Sequence, residues 1–139
     1  MGKNFVQTGT GGLAAIDDDS SAVGSVVCAL AWTVARGATN TVLVGTLPAN
    51  ARILRIDVQV PVVSNAATTA TVSVGLSGGS ATYFSAAQDV KAAIGTFSQT
   101  ATANWAISTG KQAISCTYTE TGTASTAGTI YAAVYYCVV

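Results

Sequence analysis

The fold is decided by residues 41–60, which read TVLVGTLPANARILRIDVQV. Thr41 to Leu47 is rich in β-branched residues and predicts a strand, and Pro48-Ala49-Asn50 predicts a turn. Apolar and polar residues then alternate from Arg52 to Val60, as they do in an antiparallel strand with one buried face. The side chains expected to point inward are Leu54, Ile56, Val58 and Val60, and those expected to face solvent are Arg55, Asp57 and Gln59.

Further strands are predicted on both sides of this stretch, mostly from the same alternation. They cover residues 26–34, 70–76, 96–100, 104–108, 111–119 and 129–139. One face of the first of these strands holds Val26, Cys28, Leu30, Trp32 and Val34. The last strand is apolar on both faces, so we expect it in the middle of a sheet or beneath a neighbouring subunit.

One short helix is predicted, from Ser85 to Ala92. The Ser85 side chain can cap the amide three residues further on, and Gln88 can reach back to the amide of Ser85. Gly95 is expected to close this helix.

These elements together predict an all-β fold, a two-sheet antiparallel sandwich that is jelly-roll-like and has one short helix in a connection. We assign the β-sandwich domain to residues 26–139. Residues 1–25 show neither strand nor helix periodicity and are expected to form an extended N-terminal arm. Because the arm has too little apolar surface to fold alone, we expect it to gain order by docking on a neighbour. Its candidate contact residues are Phe5, Val6, Ile16, Asp17, Asp18 and Asp19.

Charge is scarce in this chain of 139 residues: 9% of them are charged, and six Lys and Arg balance six Asp and Glu. A typical soluble domain has about 25% charged residues, so much of the surface must be neutral, which favours burial in a homo-oligomer. A sequence-independent nucleic-acid binder is excluded, since phosphate contacts need clustered cations. The longest apolar segment, residues 22–35, is shorter than the ~20 residues of a spanning helix, and no membrane or targeting segment is predicted.

Catalytic chemistry is not indicated. The sequence contains no histidine, which removes the commonest general base and metal ligand. The run Asp17 to Asp19 lacks the ligand spacing of a calcium loop, and Gly9 to Gly12 lacks the lysine of a phosphate loop. We therefore predict no enzyme activity, no cofactor and no metal. Trp32, Trp105 and the tyrosines could stack on sugar rings, although burial in the core is the commoner fate of strand aromatics.

The three cysteines are Cys28, Cys116 and Cys137, and their spacings match neither a disulfide scaffold nor a zinc site. Each lies in an apolar run, so we predict small buried side chains that stay reduced, in keeping with assembly in the cytoplasm. If the last two strands form a hairpin that turns near Ala124, Cys116 lies opposite about residue 132. The sulfurs of Cys116 and Cys137 are then too far apart to bond.

A family resemblance covers residues 43–139. Residues 45–60, GTLPANARILRIDVQV, resemble a segment of small virion proteins of tailed bacteriophages, in which a strand, a GTLPANA-like turn and a long alternating strand recur. Residues 70–75, ATVSVG, and 83–91, YFSAAQDVK, are similar to the VG strand and the AAxDxK helix of that family. Residues 127–136, AGTIYAAVYY, are similar to its terminal strand.

The resemblance implies a structural protein of the virion, assembled in the cytoplasm of a bacterial host. Members of the family occur on capsids as decoration or cement proteins and on head fibres, commonly as trimers. The partners implied are the major capsid protein and other copies of the chain, with the arm docked on one of them. The leading expectation is a cement protein on the outer surface of the head. The alternative is a head-fibre or tail-appendage module that binds host-surface glycan.

Overall fold

The computed structural model describes residues 5–8, 12–15 and 26–139, which form ten strands and one 3₁₀ turn. The strands are β1 Phe5–Thr8, β2 Gly12–Ala15, β3 Cys28–Thr33, β4 Asn40–Leu47, β5 Ala51–Val62, β6 Thr69–Leu76, β7 Gln88–Asp89, β8 Gly95–Ser98, β9 Gln112–Thr121 and β10 Thr129–Val138. The 3₁₀ turn is η1, Ala103–Trp105.

Two four-stranded sheets face each other. The first, the β10 sheet, has the strand order β3-β10-β5-β8, and the second, the β9 sheet, has the order β4-β9-β6-β7. Every pairing is antiparallel, and almost every connection in the sandwich crosses from one sheet to the other. This is the connectivity of an eight-stranded jelly roll, as the sequence predicts. Strands β1 and β2 pair with each other as a separate two-stranded sheet.

The core lies between the two sheets and is built mainly from β-branched side chains of alternating positions. One cluster includes Val58, Val60, Val72, Val90, Tyr118 and Ile130, and the other includes Leu47, Ile56, Val74, Phe84, Ile114 and Val134. Trp105 belongs to the second cluster, and the partly buried Trp32 packs against both clusters. Strand β10 lies mid-sheet between β3 and β5, which confirms its predicted position.

A β-bulge in β5 changes which residues face the core. Tyr135 pairs with Arg55 but Tyr136 pairs with Ile53, so Leu54 stands opposite no residue of β10. Beyond the bulge the alternation is inverted: Ile53 is 5% exposed and Leu54 is 44% exposed. The prediction that Leu54 points inward is therefore wrong, whereas Ile56, Val58 and Val60 are buried as expected.

The predicted helix from Ser85 to Ala92 is absent, and this segment contains the short strand β7. Tertiary partners replace the helical hydrogen bonds: the backbone N–H of Ser85 donates to the carbonyl of Val74 at 3.1 Å, and the Ser85 hydroxyl accepts from the Val74 N–H at 2.9 Å. Asp89 Oδ1 accepts from the amides of Lys91 and Ala92 in a local turn. The side-chain amide of Gln88 donates to the carbonyl of Asp89 at 3.0 Å, so both predicted capping side chains, Ser85 and Gln88, have partners without a helix.

The helical turn of the sandwich lies elsewhere, at η1, where the sequence predicts a strand over residues 104–108. The Thr102 side chain caps this turn by accepting from the Asn104 amide at 3.3 Å. Trp105 is buried there, and its Nε1–H donates to the carbonyl of Phe84 at 2.7 Å. The strand prediction fails because burial of the large Trp105 side chain, rather than alternation of apolar and polar residues, determines the local backbone conformation.

The predicted hairpin between the last two strands is also wrong. Strands β9 and β10 lie in different sheets, and Cys116 pairs with Val42 and Val74. Hairpin loops usually have about 2–5 residues, whereas residues 122–128 are long enough to carry the chain across the sandwich. The three cysteines are free thiols.

Candidate interaction surfaces

One side of the sandwich presents two neighbouring edge strands, β3 and β4. Residues 26–47 carry no proline and one charged residue, Arg36. Edge strands of soluble proteins are usually protected by lysine, proline or a bulge, and here the protection is one bulge in β4. Four large apolar side chains are exposed along this side, which we call the open edge: Val26 at 76%, Val27 at 58%, Val42 at 45% and Leu43 at 60%.

A polar network ties one end of the sandwich together. The hydroxyl of buried Tyr118 donates to Glu120 Oε2 at 2.7 Å and lies 2.9 Å from the Ser64 hydroxyl and 3.2 Å from that of Ser125. Arg36 donates to the carbonyl oxygens of Ser125 and Gly128 and so holds the β9–β10 connection. The hydrogen bond from Tyr118 lowers the pKa of Glu120, and burial raises the pKa of Tyr118. Each hydroxyl here has a partner, which indicates a structural role.

The outer face of the β10 sheet carries a groove. A cleft of about 390 Å³ is lined by side chains that include Ala31, Thr33, Asp57, Gln59, Tyr131 and Tyr135. A second cleft of about 340 Å³ adjoins it and is lined by Pro61, Ile94, Gly95 and Thr96 together with Gln59 and Tyr131. Tyr131 and Gln59 therefore line both clefts, and we call the pair of clefts the outer groove.

Asp57 is the buried acid of the outer groove. It was predicted to face solvent, but only 6% of it is exposed. Arg55 Nε lies 2.8 Å from Asp57 Oδ2, and the Ser98 hydroxyl donates to Asp57 Oδ1 at 2.7 Å. The Arg55 guanidinium also lies over the Tyr135 ring, 4.4 Å from its centroid. The neighbouring strand β8 and the long Arg55 side chain cover Asp57, so alternation alone predicts its direction but not its burial.

The candidate contact residues of the arm are only partly within the described chain. Phe5 and Val6 lie in β1, whereas Ile16 and Asp17 to Asp19 lie outside the described residues. The outer groove was not predicted as a site from the sequence. The sequence feature that relates to it is the apolar pattern on both faces of β10, the strand that carries Tyr131.

Within the described parts of the chain, no three His, Cys, Asp or Glu side chains come together as a metal-binding group. The same residues include no helix that is both long and apolar enough to cross a membrane. Cys116 is 3% exposed, and burial raises the pKa of its thiol from 9.0 to about 11. A thiol with so high a pKa is protonated at neutral pH and is a poor nucleophile.

The raised pKa of Cys116 predicts a loss of stability in alkaline solution. The unfolded chain releases the Cys116 proton near pH 9, whereas the folded protein releases it near pH 11. The protonated thiol therefore makes its full contribution to the free energy of unfolding below pH 9, and this contribution is lost as the pH rises to 11. Two pKa units correspond to about 3 kcal/mol of unfolding free energy. Urea denaturation between pH 7 and pH 11 measures this loss.

The matched control for this pH series is Cys116→Val, which removes the thiol and keeps an apolar side chain. We expect a shallower alkaline decline in this variant, with the remainder due to Tyr118 and Tyr136, whose pKa values burial also raises. Identical declines in the two proteins would contradict the assignment to Cys116.

Comparisons with known proteins give a likeness of fold. No protein-family model matches the sequence, and no curated protein matches it. A chain in the acidic stable capsid structure of Helicobacter pylori bacteriophage KHP30 superposes with a TM-score of 0.66 and 15% identity over 84% of this chain and 90% of that chain.

Two further solved structures are similar. For a chain in the capsid of Ralstonia phage GP4 the TM-score is 0.59 and the identity 20%, over 89% of both chains. For a chain in the cyanophage Pam1 capsid asymmetric unit the TM-score is 0.64 and the identity 24%, over 91% of this chain and 94% of that chain. All three superpositions extend over most of both chains, so the likeness concerns the whole sandwich.

Proposed function

We propose that this protein is a structural component of a bacteriophage virion, a decoration or cement protein that binds the outer surface of the capsid and stabilises the head. The observation that carries the proposal is the whole-chain likeness to chains in three phage capsid structures. The sequence motifs of residues 45–60 and 127–136 point to the same class of protein. The proposed partners are the major capsid protein and other copies of this chain.

The composition of the surface supports a role in a repetitive assembly. Because only 9% of the residues are charged, side-to-side contacts between copies bury few charges. Such contacts therefore carry little desolvation cost. The open edge offers backbone hydrogen-bonding groups beside exposed apolar side chains, a combination suited to a protein partner. We place the contacts between copies, in a trimer, on this edge.

Self-association through the open edge is tested by Leu43→Lys. Leu43 is 60% exposed on edge strand β4, so the substitution should leave the fold intact while placing a charge in the contact. We expect light scattering to report a trimer for the native chain and a smaller species for the variant. Ile107→Lys is the control, since Ile107 is 53% exposed and lies in the loop after η1. A monomeric native protein at micromolar concentration would contradict the proposal of a trimer.

Attachment is assigned to the arm, with Phe5 and Ile16 as apolar anchors and Asp17 to Asp19 facing a basic patch of the capsid. Burial of two large apolar side chains contributes roughly 3–6 kcal/mol before the ordering cost is subtracted. Both four-stranded sheets lie within residues 28–138, so removal of residues 1–25 should leave the sandwich folded. The truncated protein should melt near the temperature of the full chain.

The measurement is binding of full-length and truncated protein to undecorated capsids. We expect the truncated protein to bind at least about tenfold more weakly, which corresponds to about 1.4 kcal/mol. Replacement of Asp17, Asp18 and Asp19 by asparagine in the full chain isolates the charge contribution, which should diminish in high salt. Equal binding by the truncated protein would refute the assignment to the arm.

The copy number in purified virions separates the cement role from the alternative. Hundreds of copies per particle are expected for a protein that covers the head. A few dozen copies would instead indicate a head-fibre or tail appendage.

A further inference from the structure

The outer groove has the size and form of a ligand site. Its larger cleft, at about 390 Å³, falls within the range of about 300–1,000 Å³ that small-molecule sites occupy. Because Tyr131 and Gln59 line both clefts, a chain-like ligand can contact this pair of side chains from either side. Tyr131 is 42% exposed although it projects from the central strand of the sheet. An aromatic ring is thus available to a ligand on a rigid support.

The side chains of the groove combine an aromatic surface with neutral hydrogen-bonding groups. Gln59 carries an amide donor and acceptor, Thr33 carries a hydroxyl, and Ala31 and Ala133 leave space beside the Tyr131 ring. The charge of Asp57 is balanced by Arg55 at 2.8 Å, so the larger cleft presents no net charge. Both carboxylate oxygens already accept one hydrogen bond and retain lone pairs for another.

We propose that the outer groove binds a neutral oligosaccharide, with one pyranose ring stacked on Tyr131 and its hydroxyls bonded to Gln59 and the neighbouring polar groups. Stacking uses the apolar C–H face of a sugar ring, and the amide and hydroxyl groups match the donors and acceptors around its edge. The adjoining second cleft accommodates the next sugar unit. The inference does not rest on the proposed capsid role, because Tyr131 and Gln59, which would contact the sugar, lie on β10 and β5 and not on the two strands of the open edge.

Other occupants fit the groove less well. A nucleic acid requires cations for its phosphates, and the described residues that line the larger cleft include no Lys or Arg. Arg55, which lies beside the cleft, is bonded to Asp57 and lies against Tyr135. A strand of another protein would need unpaired backbone groups, which the face of a sheet does not offer. A second copy of this chain would bury the half-exposed Arg55 beside the larger cleft, whereas charged groups are depleted in the centre of protein interfaces.

The test is a titration of the full-length protein with cellotetraose, chitotetraose and mannotetraose, followed by NMR of the backbone amides. At least one of these probes is expected to cause saturable shifts at residues 57, 59 and 131. Tyr131→Ala should weaken binding of that probe by about tenfold or more, whereas Tyr131→Phe, which keeps the ring, should bind within about twofold of the native protein. Ile107→Ala, away from the groove, should bind like the native protein.

Three results would overturn the inference. The first is the absence of saturable shifts at the groove with all three oligosaccharides. The second is equal binding by Tyr131→Ala and the native protein. The third is a change of oligomeric state in Tyr131→Ala, detected by light scattering, which would identify the groove as a contact between copies of the chain. None of these results bears on binding to undecorated capsids, so the proposed function is tested separately.

Discussion

Replacement of Phe84 by alanine is expected to lower the free energy of unfolding by about 3–5 kcal/mol. Phe84 is fully buried in the second core cluster and meets the ring of Tyr83 edge-on, with 4.9 Å between ring centroids. Its carbonyl accepts the hydrogen bond from Trp105, so the backbone at this position also anchors η1. A typical domain has about 5–15 kcal/mol of stability, so this one substitution removes a large share of it.

The measurement for Phe84→Ala is urea denaturation at a fixed protein concentration, because association adds to apparent stability. Leu54→Ala is the matched control, since Leu54 is 44% exposed at the β5 bulge. We expect the control to lose about 1 kcal/mol or less, as is usual for surface positions. Equal losses in the two variants would show that the core does not extend to Phe84.

Gly75→Ala is expected to cost about 3 kcal/mol or more, for a steric reason. A Cβ atom on Gly75 would lie 2.5 Å from the carbonyl carbon of Ala81 and closer still to the carbonyl oxygen of Ser80. Both are backbone atoms, which cannot rotate away. The Ser80 carbonyl also accepts a hydrogen bond from the Leu76 amide at 3.0 Å, so the connection after β6 must move and give up this bond.

The control for this substitution is Gly110→Ala, because a Cβ at Gly110 meets no atom within 4 Å. Thermal melting of the two variants beside the native protein gives the comparison. A small effect at Gly110 and a large one at Gly75 are expected. If Gly75→Ala melted like Gly110→Ala, the close approach of the 77–84 connection to β6 would be refuted.

Local sequence patterns determined most of the strands. In residues 41–60 the β-branched run, the Pro-Ala-Asn turn and the alternation predicted β4, β5 and the turn between them, since side chains alternate between the two faces of a strand wherever no bulge interrupts it. The two apolar faces of residues 129–139 likewise predicted a strand in the middle of a sheet, and β10 does lie between β3 and β5. The jelly-roll class followed from the number and spacing of such strands.

Tertiary structure decided those features for which the local sequence pattern is compatible with two different backbone conformations or connections. The capping residue Ser85 fits a helix equally well, but the backbone of Val74 supplies its partners in the sandwich. The bulge at Leu54 is set by the register between β5 and β10, which no single strand encodes. Strands β9 and β10 were predicted to form a hairpin, yet their connection carries the chain across the core.

The outer groove shows most clearly what a sequence read alone omits. Tyr131, Gln59 and Thr33 lie on three different strands, so their proximity depends on the order β3-β10-β5 within one sheet. Asp57 sits at a solvent-facing position of its strand and is nevertheless buried, because Arg55 and β8 cover it. Side-chain direction within an uninterrupted strand is a local property that the sequence determined. The place of a bulge, the burial of a side chain and the proximity of two side chains depend on strand order and register, which arise only when distant segments pack together.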